Sequence, residues 1–242
     1  VLAGHVDICD RLWAAEAVAT GPRSLLVCAV QSGRPAMVQS LLDRGFGPSD
    51  RRERDDLLLT AAETSVEMTA FIHDRARWSV HNRAAALGRA IEVGNEPVVE
   101  FLLGAGVSPT CEYKTHMGCL VSRHTPLSIA VERYGCFPRL LPRLLADADV
   151  IPHSVLEAAV RSGSTDALDR LIEAGADPRS VGNRSRTLWW VAADRPDLWP
   201  YLLEIGVDPN RPDASGQRPG TRNEGLRRFL REHAVDPAAS GD

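Results

Sequence analysis

Four side chains with affinity for a soft cation fall in one short stretch, Cys111-x4-His116-x2-Cys119-x4-His124. Thiolates and imidazoles at that density could surround a zinc ion, which takes four nitrogen or sulfur ligands. The order is not that of a zinc finger or knuckle, and no CxxC pair anchors it. The expectation is a long loop carrying reduced cysteines, with no metal or cofactor assigned. The remaining histidines, His5, His73, His81, His153 and His233, show no carboxylate or cysteine at a spacing that defines a dyad. His5, in a Gly-His turn, is expected to be structural. Phosphate-binding glycine loops, nucleophile elbows and HExxH helices are all missing from the sequence, so no catalytic residue is assigned.

The second chemistry on offer is recognition. Of 28 basic residues 27 are arginine, and Lys114 is the only lysine. The scarcity of lysine, isoleucine and asparagine fits a GC-rich genome; avoidance of ubiquitin acceptors is the alternative reading. Arginines gather in four stretches expected to be loops between repeats: Arg51, Arg52 and Arg54; Arg75, Arg77 and Arg83 with Trp78 and His81; Arg179, Arg184 and Arg186; Arg211 and Arg218. Acids (Asp50, Glu53, Asp55, Asp56) dilute the first set, whereas 74–83 and 177–186 stay net positive. Guanidinium groups beside indoles are the pair most enriched where proteins hold partners. The candidate partner-binding residues are Arg51, Arg52, Arg75, Arg77, Trp78, His81, Arg83, Tyr113, Arg184, Arg186 and Trp190.

Something must position these groups, and internal repetition says what. A phrase recurs: two bulky residues, two spacers, a glycine, and a proline three positions on. It occurs at Leu41-Leu42 to Pro48, Leu102-Leu103 to Pro109, Leu171-Ile172 to Pro178 and Leu202-Leu203 to Pro209. Weaker copies place the bulky pair at Leu12-Trp13, Phe71-Ile72 and Leu144-Leu145, so successive steps are 29, 30, 31, 42, 27 and 31 residues. Apolar residues before each glycine have helical spacing, and glycine followed by proline ends a helix. Upstream, further helices are predicted over Leu25–Ser32, Ala85–Val93, Pro126–Glu132, Val155–Ser162 and Leu188–Ala193. The unit is helix, tight turn, helix, long loop. One such hairpin cannot bury its apolar faces, but a stack can.

These phrases resemble the ankyrin repeat. Thr125-Pro126-Leu127-Ser128-Ile129-Ala130 is similar to the opening of its first helix, with Ser128 where histidine is usual. Gly4-His5-Val6-Asp7-Ile8 looks like the turn into a second helix, and Gly206-Val-Asp-Pro-Asn210 like a repeat ending. The resemblance implies an all-α, ankyrin-like solenoid of about seven helix-turn-helix repeats with short or irregular β-hairpin loops. It also implies that partners are held on the concave side, by the loops and first helices. A single solenoid is expected over 1–231, with an insertion loop at about 110–124 and a flexible tail over 232–242. Its register starts mid-repeat, so at least one more helix is expected upstream of Val1. Trp189 falls where the repeat wants a core leucine, and Trp190 at the histidine position nearer the groove. Trp13, Trp199 and Tyr201 are expected in the core.

Composition narrows the function classes. The chain is 44% apolar and 25% charged with net charge −4, which suits a globular protein and disfavours a bulk nucleic-acid binder. Its apolar runs are far shorter than the roughly 18 residues that span a bilayer. Five cysteines without a disulfide pattern favour an intracellular location, cytoplasmic or, in a eukaryote, nuclear. The leading expectation is a non-catalytic scaffold that binds another protein, as a substrate-recruiting module of a larger protein in one version. The alternative is an enzyme or small-ligand-binding protein using the groove and the 110–124 insertion.

Overall fold

The recurring phrase is a helix-stop device, and all four strong copies close the same way. Val107 N–H donates to Leu102 O at 3.1 Å and Gly106 N–H to Leu103 O at 2.9 Å. The same two bonds join Phe46 and Gly45 to Leu41 and Leu42, Ala176 and Gly175 to Leu171 and Ile172, and Val207 and Gly206 to Leu202 and Leu203. This is the Schellman arrangement, which needs a left-handed residue after the last turn. Gly106 provides it at φ +75°. The first bulky residue of each phrase (Leu41, Leu102, Leu171, Leu202) is fully buried. Two of the degenerate copies, at Phe71 and Leu144, lack the glycine and keep only one bond of the pair, Arg75 N–H to Ile72 O and Ala148 N–H to Leu145 O.

The computed structural model describes residues 22–48, 50–117, 120–221 and 223–233. The expected copy at Leu12-Trp13 and the Gly4-His5 turn lie outside the described residues. The chain divides into two units, Val1–Val107 and Ser108–Asp242. In the first, the helices are α1 (Pro22–Gln31), α2 (Pro35–Asp43), α3 (Arg51–Ala62), α4 (Val66–His73), α5 (Val80–Val93) and α6 (Glu96–Gly104). The first helices α1, α3 and α5 pack on one another, and each second helix closes a hairpin against its own first helix. Asp50, Ser65 and Ser79 cap three of the helices by accepting from the backbone N–H three residues on.

Two expectations are corrected here. Arg51-Arg52-Glu53-Arg54 is not loop but the first turn of α3, because Leu57, Leu58, Ala61 and Ala62 bury one face of that charged helix. In α4 the core residue is Ile72, 5% exposed, rather than Phe71, which is half-buried. Ile72 is the seventh residue of its helix, as Leu41, Leu102 and Leu171 are of theirs. The phrase there is shifted by one position.

The second unit opens with a β-hairpin, β1 (Tyr113–Met117) against antiparallel β2 (Leu120–His124), where a long loop was expected. Five residues on each side, several of them aromatic or β-branched, pair from Tyr113 with His124 to Met117 with Leu120. Then follow α7 (Pro126–Glu132), α8 (Leu140–Ala146), α9 (His153–Ser162), α10 (Thr165–Glu173), α11 (Leu188–Val191) with two 3-10 turns behind it, α12 (Trp199–Glu204) and α13 (Glu224–Glu232). The first helices α7, α9 and α11 pack in sequence. Thr125 and Ser128 form a reciprocal capping box at α7. Helix α13 reaches Glu232, the first residue of the expected tail.

Neighbouring hairpins are also tied by polar side chains that reach back about one repeat. Asn95 Nδ2 donates to Ala62 O and Thr64 O, and Asn223 Nδ2 to Ala193 O. Arg195 Nη1 donates to Arg161 O at 2.7 Å, its guanidinium lying against Gly163 (φ +75°). These bonds fill carbonyls at or just past the ends of first helices. Trp189 is fully buried and donates to Val207 O at 2.8 Å, and Trp199 is 8% exposed and donates to Ala192 O at 2.7 Å. Tyr201, expected in the core, is half-buried with its hydroxyl on Asp169.

Candidate functional site

In the first unit the candidate residues split between two surfaces. Trp78 follows α4 and is half-buried, its indole N–H donating to His73 O (2.9 Å) and Ile72 O (3.3 Å) at the helix end. The Arg54 guanidinium sits 5.8 Å from the Trp78 ring, which brings a first helix and the following loop together. Arg75 does not join them: it stacks 3.4 Å over Phe71 and bonds Gln39, both on second helices. Arg51 is exposed and faces Asp55 at 3.8 Å, and Arg52 and Arg77 are exposed. His81 and Arg83 stand in the first turn of α5, not in a loop, with His81 exposed and the Arg83 Nε buried without a hydrogen-bond partner.

The second unit assembles a tighter group. Residues 182–186 form a small loop closed by Gly182 N–H donating to Arg186 O at 2.8 Å. Gly182 lies flat on α9: a side chain there would meet His153 and Glu157 within 2.7 Å. Arg184 and Ser185 are both left-handed, at φ 58° and 57°, a conformation that costs non-glycine residues roughly 1–2 kcal/mol each. The strain is held in place by Ala214 N–H donating to Arg184 O at 2.8 Å. Asp213, 7% exposed, organises the facing turn: its Oδ1 accepts from Ser215 N–H, Ser215 Oγ–H and Gln217 N–H. Those bonds hold its carboxyl below the ordinary range, with the nearby Arg186 charge helping.

Arg186 links the halves. Its guanidinium lies 4.8 Å from the Trp190 ring centroid, and its Nε is 3.6 Å from Asp213 Oδ2. Arg184, Arg186, Asp213, Ala214, Ser215 and Gln217 line an open cleft of about 420 Å³. Three of the expected site residues, Arg184, Arg186 and Trp190, therefore come together. Tyr113 does not contribute exposed surface, being 6% exposed and tilted on the His124 ring.

Beside this group is a pair the sequence reading passed over. His153 Nδ1 meets Ser180 Oγ at 2.9 Å, and its Nε2 lies 3.6 Å from Glu157 Oε1. Burial holds the His153 ring below its ordinary pKa, partly opposed by Asp177. Burial likewise pushes the Glu157 carboxyl up, partly opposed by Arg161 and Arg186. The i,i+4 spacing of His153 and Glu157 on a first helix was the available signal. Of the expected zinc set, Cys119 lies outside the described residues, as does the His116 side chain. Among the described residues no group of three or more His, Cys, Asp or Glu side chains could hold a metal ion. None of the helices described is long and apolar enough to cross a membrane.

Comparison with known proteins agrees with the architecture. No protein-family model matches the sequence, and no curated protein sequence matches it. The fold is similar to the crystal structure of the human ASB11 ankyrin repeat domain, with a TM-score of 0.56 over 85% of this chain and 96% of that one, at 18% identity. The chain has an all-α, ankyrin-like repeat fold.

Proposed function

We propose that this protein is a non-catalytic scaffold that holds another protein on its first-helix and loop side, as a recruiting module within a larger protein. The observation that carries this is the Arg186–Trp190 stack beside the 420 Å³ cleft of the second unit. A planar cation laid on an indole, fixed by a strained loop and by an aspartate that three donors hold in place, is already ordered before a partner arrives. Little side-chain entropy is then lost on binding. The likeness to an ankyrin repeat domain supports the reading at the level of fold.

The test is quantitative affinity capture from cells of the source organism with three baits. Wild type and Glu173→Gln, changed on a second helix, are expected to recover the same near-stoichiometric protein. The double variant Arg186→Glu, Trp190→Ala is expected to lose it while keeping the wild-type circular dichroism. Equal recovery by all three baits would overturn the assignment of this face.

A further inference from the structure

Three unmet hydrogen-bonding groups beside the cleft are able to donate. Arg186 Nε, Thr187 Oγ1 and Trp190 Nε1 are buried without a hydrogen-bond partner among the described residues. Thr187 is 1% exposed and stands at the N-cap of α11, yet its hydroxyl makes no capping bond. The equivalent Thr125 does make one, within its box with Ser128; here Trp190 holds the reciprocating position and has no acceptor to offer. Arg184 is exposed and has no acidic partner among the described residues. The carboxylate on the cleft lining is already engaged. Asp213 Oδ1 already takes three donors, and Asp213 Oδ2 faces Arg186. Buried polar groups left unpaired are costly, so the complement of this wall is an acceptor.

Charge selects which acceptor. Arg184 and Arg186 against Asp213 leave the cleft lining with one net positive charge. Glu157, which also feels Arg186, has Arg161 at 3.9 Å. A singly charged carboxylate balances that lining. A phosphate dianion would overshoot it and face both Asp213 and Glu157. A partner's lysine or arginine would meet two guanidinium groups, with the near face of Trp190 already covered.

We infer that the cleft beside Arg184, Arg186 and Trp190 is a subsite for one carboxylate side chain, an aspartate or glutamate of the partner protein. This rests on the scaffold reading, because it names the chemistry the scaffold selects. Arg184 and Arg186 supply the charge-assisted donors, and the Trp190 ring keeps the Arg186 plane in place.

The full chain labelled with 5-fluorotryptophan tests this by fluorine NMR, the Trp190 resonance being assigned with Trp190→Phe. The probes are capped nonapeptides of glycine, serine and valine with glutamate, glutamine or phosphoserine at the centre. Saturable movement of the Trp190 resonance is expected with the glutamate peptide. Glutamine is expected to bind about tenfold more weakly or worse, the usual loss for a charged hydrogen bond. Arg186→Gln should abolish the response, and Arg186→Lys should not restore it. Equal responses to glutamate and glutamine, a tighter phosphoserine peptide, or an unmoved resonance would each overturn the inference. If the peptide fails while affinity capture still needs Trp190, the carboxylate assignment falls and the scaffold stands. If the peptide binds but no captured protein depends on this face, the subsite stands and the scaffold reading falls.

Discussion

Replacing Gly163 with alanine separates two contributions that the structure places at one residue. Gly163 ends α9 at φ +75°, where an alanine pays roughly 1–2 kcal/mol for the left-handed backbone. Its new Cβ would also fall 1.6 Å from Arg195 Nη2. The guanidinium is the far end of a flexible chain, so it moves instead of holding the clash. In moving it gives up the 2.7 Å bond to Arg161 O, an exposed bond worth about 1 kcal/mol. The expected total is about 2–3 kcal/mol. Gly106 provides the control, since it has φ +75° with nothing within 4 Å of an added Cβ. Gly106→Ala should therefore cost only the backbone part. Urea denaturation followed by circular dichroism, with wild type, both alanine variants and each variant combined with Arg195→Ala, measures the difference. In the Arg195→Ala background the gap between the two glycine sites should close to within experimental error. A gap that persists would refute the idea that Arg195 ties one hairpin to the next across Gly163.

Further outcomes follow from the packing and the charges. Ile72→Ala should destabilise by about 2–5 kcal/mol, whereas Phe71→Ala should cost about 1 kcal/mol, mainly its stack with Arg75; urea midpoints of the two variants check the shifted register. His153 is held below its ordinary pKa of 6.5, so folding disfavours its protonation: the stability it permits is complete above about pH 6.5 and declines as pH falls toward the lowered folded value. Glu157 acts oppositely, its raised pKa making the folded state less costly as pH falls. His153→Asn should therefore remove a loss of urea midpoint between pH 7 and pH 5.5 that wild type shows; an unchanged pH profile would contradict it. Trp78→Phe should lower stability, because the indole N–H that closes α4 on His73 O is lost; a wild-type urea midpoint would show that this bond contributes nothing.

What could be read in the sequence was the chemistry that acts within a few residues. The Leu-Leu-x-x-Gly phrase is a Schellman stop, complete in itself, and Thr125-Pro126 opens α7 by local capping. Both needed no knowledge of the tertiary fold. Helix α3 was hidden because Arg51 to Asp56 look like solvated loop, and only Leu57, Leu58, Ala61 and Ala62 betray its buried face. The β-hairpin was hidden for another reason: its cysteines and histidines drew attention to ligand chemistry, while strand pairing from Tyr113 to His124 depends on partners up to 11 residues apart. At the candidate site the residue types were legible, Arg184, Arg186 and Trp190 among them. Their assembly was not. It depends on Asp213, 27 residues from Arg186, and on α9, whose Glu157 precedes Arg186 by 29. Arg75 shows the converse, an arginine near Trp78 in sequence that the fold sends to the second-helix side.

The central claim is that a partner protein sits on the loop wall of the second unit. A photo-crosslinking amino acid at Gln217, on the lining of the cleft, tests it most directly, with the same group at Glu173 on α10 as the comparison. The account expects one protein joined in high yield at position 217, little at 173, and loss of the product when Arg186→Glu is added. Equal crosslinking at both positions, or a product at 217 that survives Arg186→Glu, would contradict it.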